Sequence, residues 1–468
     1  MKLKEILGFK KTVSNCKIKR YIFGIPFVKV KWDTGDMQIF LLGLKILKFK
    51  LPYYQDSKNL KELQENDSKY QLNKAVKILN FRNPETKNKK IAIFSVLPPE
   101  TTGVAHYTYK THIVEQDKYD IFSDIKTFGD YDYLLDDGRV SNVFPLSFYD
   151  KANEKEKYGY RIFVLGNSWH HRMILEEAIK SKGDENRALY LHETLLTGLF
   201  KATRFWRIFI KEWYPEYLKD IDTVNSDTYN FAMSNNVFGI RALINLTGIR
   251  KIFVNNERAK DLIQAELTPE EYEKLNIEVM FLPVEEIVAE KKDLSKGKYK
   301  YVVASFGVPG KSKLSDAIVE AIILLNKKFN NAYKLIICGY EANKIDTKDC
   351  DFIEIVDSPE TDHLYTLMNS VDLAIQLRPN PHGESSGCVS QLLGLGQNIL
   401  TSNGFVAKDQ EQYCHLVNGV VSVEELAKSI ENSVSNKKNY DSMSIIKEYS
   451  FRALSEKLYS YLRGNIYD

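Results

Sequence analysis

The chain has 468 residues, about three domains' worth at roughly 150 residues each, which excludes a single small fold. With 44% hydrophobic and 27% charged residues, and with 28 Tyr and 24 Phe, it reads as a globular rather than a disordered protein. A net charge of +3 excludes a nucleic-acid coat, yet residues 1–50 hold 12 Lys/Arg against Glu5, Asp33 and Asp36, so that end alone carries +9 and the remaining 418 residues −6.

Residues 1–52 are expected to form a small basic β-rich module. Tyr21–Lys31 and Phe40–Lys50 are similar at an offset of 19 residues, both are β-prone, and both end in alternating apolar and Lys positions. Asp33-Thr34-Gly35-Asp36 reads as the turn of a β-hairpin, and an anionic surface is the expected partner. Residues 53–88 are polar and predict a linker with one helix over 70–81.

A first α/β domain is expected over 89–283. It opens with the strand Ile91–Val96, runs into a loop containing Gly103, and continues with strands at 161–165, 188–191 and 251–254. Within it, 200–214 predicts one helix. Lys201, Arg204, Arg207 and Lys211 form a stripe, and Phe205, Trp206, Phe209, Ile210 and Trp213 fill the other positions, so the segment suits either a membrane interface or a core. A second α/β domain is expected over 284–430, with strands at 300–307, 334–339, 351–356, 371–377 and 398–401 and a helix over Ser315–Lys328. The helical tail, 431–468, is expected to pack back on the first domain. Two open α/β domains form a cleft with ligands at the carboxyl ends of the strands.

Cys16, Cys338, Cys350, Cys388 and Cys414 form no CxxC pair, which suits a reduced, cytoplasmic setting without a zinc site. No signal-peptide pattern or spanning segment is read near Met1, where the longest apolar run, Met37–Leu47, is broken by Lys45.

The richest segment is Val371–Leu393. A buried strand leads to a loop with Arg378 and Glu384, and a helix starts near Ser385 or Ser386. Free amides at a helix start favour phosphate, Arg378 offers a bidentate contact, and the Glu384 carboxylate can accept from sugar hydroxyls. The plainer alternative is that Glu384 and Ser385 only cap the helix. A second loop, Ser305–Asp316, holds Gly307, Lys311 and Lys313 and lacks the P-loop spacing. Two further strand ends carry histidines, at Gly166-Asn167-Ser168-Trp169-His170-His171 and Leu191-His192-Glu193, which are binding candidates or simply satisfied polar groups. Asp130-Tyr131-Asp132 is read as solvated loop, and no metal is expected.

These motifs resemble the retaining glycosyltransferases of the GT-B fold, in particular the large family four of nucleotide-sugar enzymes. Gly383-Glu384-Ser385-Ser386-Gly387 is similar to that family's strand–loop–helix element, and Gly307 with Lys313, rather than Lys311, to its Gly–loop–Lys element. Asn167 and His171 match its "Gly-Asn-Ser-x-x-His", and His192 its "Leu-His-Asp", with Glu193 in place of Asp. The family's second acid, eight residues after Glu384, would fall at Leu392, and Gln391 is the nearest polar residue.

The resemblance implies an α/β chain of two Rossmann-like domains that moves a sugar, with retention, from a nucleoside-diphosphate donor to a hydroxyl of a glycan, lipid-linked or protein acceptor in bacterial surface-glycan synthesis. It implies Glu384 and His192 as catalytic, and Gly307, Lys313, Arg378, Ser385, Ser386, Gly387 and Gln391 as donor-binding. Gly103, Asn167 and His171 fall on the acceptor side. No cofactor, metal or nucleic acid is expected. The expected location is cytoplasmic, peripheral on the inner face of the plasma membrane. The missing second acid keeps open a non-catalytic subunit that binds a nucleotide sugar or a partner enzyme.

Overall fold

The computed structural model describes residues 10–14, 17–22, 25–33, 36–41 and 44–50, and then 90–98, 100, 102–112, 115–124, 142–146, 149, 158–203, 206–220 and 228–464. The helix expected over 70–81, Arg204, Phe205 and the Asp130–Asp132 string lie outside them.

The first unit is a five-stranded antiparallel sheet in chain order: β1 (Lys10–Ser14), β2 (Lys17–Ile22), β3 (Ile25–Asp33), β4 (Asp36–Leu41) and β5 (Leu44–Lys50). Asp33 and Asp36 pair where the turn was expected, so the expected hairpin is one part of a longer meander. Each copy of the repeat covers the end of one strand and most or all of the next. Lys17 pairs with Lys31 and Lys19 with Lys29, which puts these four positions on one face.

The second unit holds two parallel sheets. The first comprises β6 (Lys90–Phe94), β7 (Tyr119–Ser123), β8 (Val143–Pro145), β9 (Tyr158–Leu165), β10 (Arg187–Leu191), β11 (Lys251–Val254) and β12 (Asn276–Val279), in the order β12-β11-β10-β9-β6-β7-β8. The strands from β6 to β11 are almost wholly buried, as parallel strands covered on both faces require, while the edge strand β12 is partly exposed. Phe94 of β6 stacks on Phe163 of β9 at 4.6 Å and on Phe122 of β7 at 5.3 Å. Sequence reading missed β7 because Asp120 interrupts its apolar pattern. That buried carboxylate is satisfied by Lys90 Nζ and the Tyr158 hydroxyl, each at 2.9 Å.

The single helix expected over 200–214 is instead two, Thr197–Lys201 and Trp206–Trp213, so the basic residues do not share one stripe. Phe200, Trp206, Phe209, Ile210 and Tyr214 are buried. The Tyr214 hydroxyl donates to the buried Glu266 carboxylate, which also accepts the backbone N–H groups of Phe238, Ile240 and Arg241 at the start of the Ile240–Thr247 helix. These five buried side chains belong to the core, while Ile208 of the Trp206–Trp213 helix is exposed. Among the described residues no helix is long and apolar enough to cross a membrane.

The second sheet comprises β13 (Tyr301–Phe306), β14 (Tyr333–Gly339), β15 (Ile353–Asp357), β16 (Leu373–Gln376), β17 (Ile399–Ser402) and β18 (His415–Val417), in the order β15-β14-β13-β16-β17-β18. The Ser315–Lys328 helix lies where its apolar spacing predicts, burying Ile318, Ile322 and Leu325 against Val303, Leu335 and Ile337. The tail forms helices Val423–Ser435, Ser442–Tyr449 and Phe451–Gly464. The last returns to the first sheet: Tyr119 donates to Ser455 O at 2.7 Å, Tyr461 to Asn276 Oδ1 at 3.2 Å, and Leu454, Leu458 and Leu462 form a buried stripe.

Both parallel sheets reverse strand order once, between β6 and β9 and between β13 and β16. At such a reversal neighbouring loops diverge and leave a crevice at the carboxyl ends of the strands. The loops after these four strands are those that carry Gly103, Asn167 and His171, Lys313, and Arg378 and Glu384.

Candidate functional site

Loops from both sheets meet at one cleft. Gly103, Asn167, His171, His192, Lys313, Arg378, Glu384, Ser385, Ser386, Gly387 and Gln391 all line it, and Gly307 sits just behind, where a Cβ would lie 3.7 Å from Lys313 Nζ.

On the first sheet's side, Thr102 Oγ1 accepts from Ala105 N–H at 3.0 Å, and Gly103 opens the Gly103–His112 helix with open space around its Cα. Asn167 is used by the fold: its N–H donates to Glu193 Oε1 at 2.7 Å and its Oδ1 accepts from Leu199 N–H at 3.1 Å. His171 is buried with Nδ1 3.3 Å from Val164 O, a carbonyl that can only accept, so Nδ1 carries the proton. His170 also reaches the cleft and pairs through Nδ1 with Glu100. His192 stacks on Tyr190 at 5.1 Å, and Asn255 Nδ2 lies 3.2 Å from its Nδ1.

On the second sheet's side, Lys313 Nζ donates to Gln376 Oε1 at 3.3 Å, whereas Lys311 is exposed outside the cleft. Arg378 Nη1 donates to Ser312 O at 3.3 Å, tying the loop after β16 to the loop after β13. The two cations share one aromatic ring: Lys313 Nζ is 5.8 Å and Arg378 Cζ 5.4 Å from the Phe405 ring centroid. Ser386 is the N-cap of the Gly387–Gly394 helix, its Oγ accepting from Val389 N–H at 3.3 Å. Leu392 is fully buried, so no polar side chain is offered from that position, while Gln391 faces the cleft and donates to the Tyr365 hydroxyl at 3.4 Å.

The loop carrying Glu384 is clamped onto the first sheet. Asn256 Oδ1 caps the Glu257–Glu266 helix at Ala259 N–H, 2.9 Å, which turns Nδ2 toward Gly383 O, Glu384 O and Ser385 Oγ at 3.3, 3.0 and 2.8 Å. Thr194 donates twice to His382 O, from N at 3.0 Å and from Oγ1 at 2.7 Å. Gly383, at φ +86°, is held so closely that a Cβ would lie 2.0 Å from Thr194 Oγ1. Glu384 Oε2 accepts from His382 N–H at 2.7 Å, and its Oε1 lies 2.7 Å from Arg378 Nε. His382 Nδ1 sits between the carboxylates of Glu384 and Glu193, at 3.1 and 3.4 Å.

Sequence reading missed Tyr107, His382, Cys388, Phe405, Asn255 and Asn256. The asparagines follow a buried strand directly, the position that flagged the histidines. Tyr107 and Phe405 offered no such signal, because an aromatic on a helix or in a loop reads as core.

Burial lowers the Lys313 pKa, with Arg378 adding to the effect, so a phosphate there would regain the lost charge stabilisation. Burial also pushes His192 down to about 3 and His171 to about 4, so both are neutral near pH 7. His112, behind them, is likewise lowered to about 3. Such histidines leave stability untouched above their ordinary pKa of about 6.5 and cost stability as pH falls below it, because the unfolded chain then binds more protons. The buried carboxyls of Glu193 and Glu266, both raised, work in the opposite direction. Calorimetric unfolding at pH 6 in buffers of different ionisation heat should therefore show net proton uptake. Net release would contradict neutral burial of these histidines.

No protein-family profile matches the chain, and no curated protein sequence matches it. Solved structures do. An α,α-trehalose-phosphate synthase (UDP-forming) from Burkholderia xenovorans, in complex with glucose-6-phosphate, is 10% identical with a TM-score of 0.52, over 80% of this chain and 100% of that one. Anabaena HepE, in complex with UDP and glucose, is 12% identical with a TM-score of 0.50, over 81% and 100%. The trehalose-6-phosphate synthase OtsA is 10% identical with a TM-score of 0.51, over 80% and 99%. The chain is built on the GT-B plan of these glycosyltransferases, two parallel α/β sheets facing one cleft.

Proposed function

We propose that this protein is a glycosyltransferase that takes a sugar from a nucleoside-diphosphate donor and gives it to a hydroxyl of a glycan, lipid-linked or protein acceptor. One observation carries the reading. Lys313, Arg378 and the starts of two helices, at Gly103 and Gly387, converge from both sheets beside a carboxylate, Glu384, with two neutral histidines opposite. Departure of a nucleoside diphosphate builds negative charge, and preorganised cations and amides meet that charge without having to reorganise. Glu384 is placed to accept from a hydroxyl of the transferred sugar, and His192 to contact the sugar or the acceptor. UDP with glucose in HepE and glucose-6-phosphate in the Burkholderia enzyme are ligands of this chemical kind. Retention of configuration, a role in bacterial surface-glycan synthesis and independence of metal belong to the same proposal.

The test is transfer and donor hydrolysis across a panel of nucleoside-diphosphate sugars, with the products' anomeric configuration read by NMR. Glu384→Gln should lower kcat on the order of 100-fold, comparable to removing one preorganised transition-state contact, with the thermal unfolding profile unchanged. Full activity in a well-folded Glu384→Gln protein would remove Glu384 from the reaction. Lys313→Ala should weaken nucleoside-diphosphate binding by about 1.5–3 kcal/mol in titration calorimetry, with Lys311→Ala close to wild type. The reverse order would mean the diphosphate lies elsewhere. Activity should persist in EDTA. Loss restored by Mn²⁺ would point to a metal, with Asp130 and Asp132 the first residues to replace. A chain that binds nucleotide sugars but neither transfers nor hydrolyses them is a binding subunit.

We also propose that the chain is cytoplasmic and associates with an anionic membrane through residues 1–50, now on the strength of their +9 balance alone. Flotation with anionic liposomes at low salt should recover the full-length protein, and 1 M salt, where the Debye length is about 3 Å, should release it. Equal recovery after deletion of 1–50 would remove that module from the interaction.

A further inference from the structure

The side chains that follow β11 connect two parts of the cleft that the sequence does not link. Asn256 serves the Glu384 loop. Asn255, fully buried, serves His192. Its amide lies between two partners: the Tyr190 hydroxyl donates to Oδ1 at 2.9 Å, and Nδ2 lies 3.2 Å from His192 Nδ1. An amide nitrogen can only donate. His192 Nδ1 must then be the acceptor, and the ring proton resides on Nε2. This is the opposite tautomer to that of His171, whose Nδ1 faces the Val164 carbonyl.

We propose that Asn255 is a positioning residue that locks His192 as the Nε2–H tautomer, so that His192 enters the reaction as a hydrogen-bond donor to a sugar oxygen and not as a general base. The inference rests on the glycosyltransferase reading for the word reaction, and on geometry alone for the tautomer. Around the ring lie Tyr190, which stacks on it, and Tyr107 of the Gly103–His112 helix, at 6.1 Å between ring centroids. The neighbouring titratable groups are His112 and His171, both held neutral by burial, and Glu193, next in the chain, whose carboxylate is taken up by Asn167 N–H and faces His382. The hydrogen-bond contact at His192 Nδ1 is with the Asn255 amide, so that amide decides the tautomer.

The test has two readouts. In the full chain labelled with ¹⁵N-histidine, long-range ¹H–¹⁵N correlation, assigned against His192→Gln, should show a bare Nδ1 and a protonated Nε2 for His192, unchanged from pH 5.5 to 8. An Nδ1–H tautomer, or titration in that range, overturns the assignment whether or not the chain transfers sugars. Asn255→Asp replaces the amide donor with a carboxylate, which accepts only and therefore draws the proton to Nδ1 and raises the His192 pKa. In this variant Nε2 keeps a proton only while the ring is charged. Transfer should then fall at least tenfold as pH rises through the new pKa, while the wild type shows no such limb. If Asn255→Asp instead becomes more active as pH rises, His192 acts as a base and the donor role is wrong. Asn255→Ala, checked for folding by circular dichroism, should lose the fixed tautomer in the same spectrum. An unchanged His192 signal in that variant would show that Asn255 does not set it.

Discussion

The side-chain amide of Asn256 joins the two halves of the cleft at the Glu384 loop. Asn256 Oδ1 is committed to capping the Glu257–Glu266 helix, so its Nδ2 has only one direction left. In that direction lie Gly383, Glu384 and Ser385 of the other sheet's loop. The cap is a local requirement of a helix that starts immediately after a buried strand. The clamp is its long-range consequence. It brings His382 to Glu193, places the Glu384 carboxylate beside Arg378, and sets the start of the Gly387–Gly394 helix opposite that of the Gly103–His112 helix. Gly383 follows from the same constraint, since any side chain there would strike Thr194.

Charge sets the second constraint. Lys313 and Arg378 stand close enough to disfavour each other, and burial makes it worse for the lysine. Three features make the pair tolerable: the shared Phe405 ring, the Gln376 oxygen on Lys313, and the Glu384 carboxylate beside Arg378. An anionic ligand would relieve the remaining repulsion, which is what the proposed diphosphate would do. The opposite wall has the reverse character. Burial keeps His171 and His192 uncharged, and they offer direction rather than charge. The proposed transfer from a nucleotide sugar to an alcohol would use both walls, the charged one for the leaving group and the neutral one for hydroxyls.

Much of this was legible in the sequence because it is local. Continuous apolar runs identified the buried strands, a gap of a few residues identified the loops at their ends, and the 3.6-residue period identified the Ser315–Lys328 helix. Strand ends in a parallel sheet face one cleft, which drew notice to the loops with Arg378 and Glu384 and to the histidines, while the choice of Lys313 and of His171 came from the resemblance to glycosyltransferase motifs. Lys313 was preferred over Lys311 through the resemblance to a Gly–loop–Lys element; in the fold Lys313 is half-buried and Lys311 exposed.

Tertiary structure decided what depends on partners distant in the chain. Asp120 reads as a strand breaker until Lys90 and Tyr158 reach it. The aromatics of 200–214 read as core or as a membrane face, and in the fold Phe200, Trp206, Phe209 and Tyr214 are buried, with Glu266, more than fifty residues later, taking the Tyr214 hydroxyl and the segment dividing into two short helices. Asn255, Asn256, Phe405 and Tyr107 carry no chemistry of their own, and their importance lies in what they hold. The sequence by itself determined which groups stand at strand ends and therefore what the site can be made of. Which of them face one another, which tautomer a histidine takes and which charges share a ring were decided only by folding, because hydrogen bonds and burial depend on distance in space and not on distance along the chain.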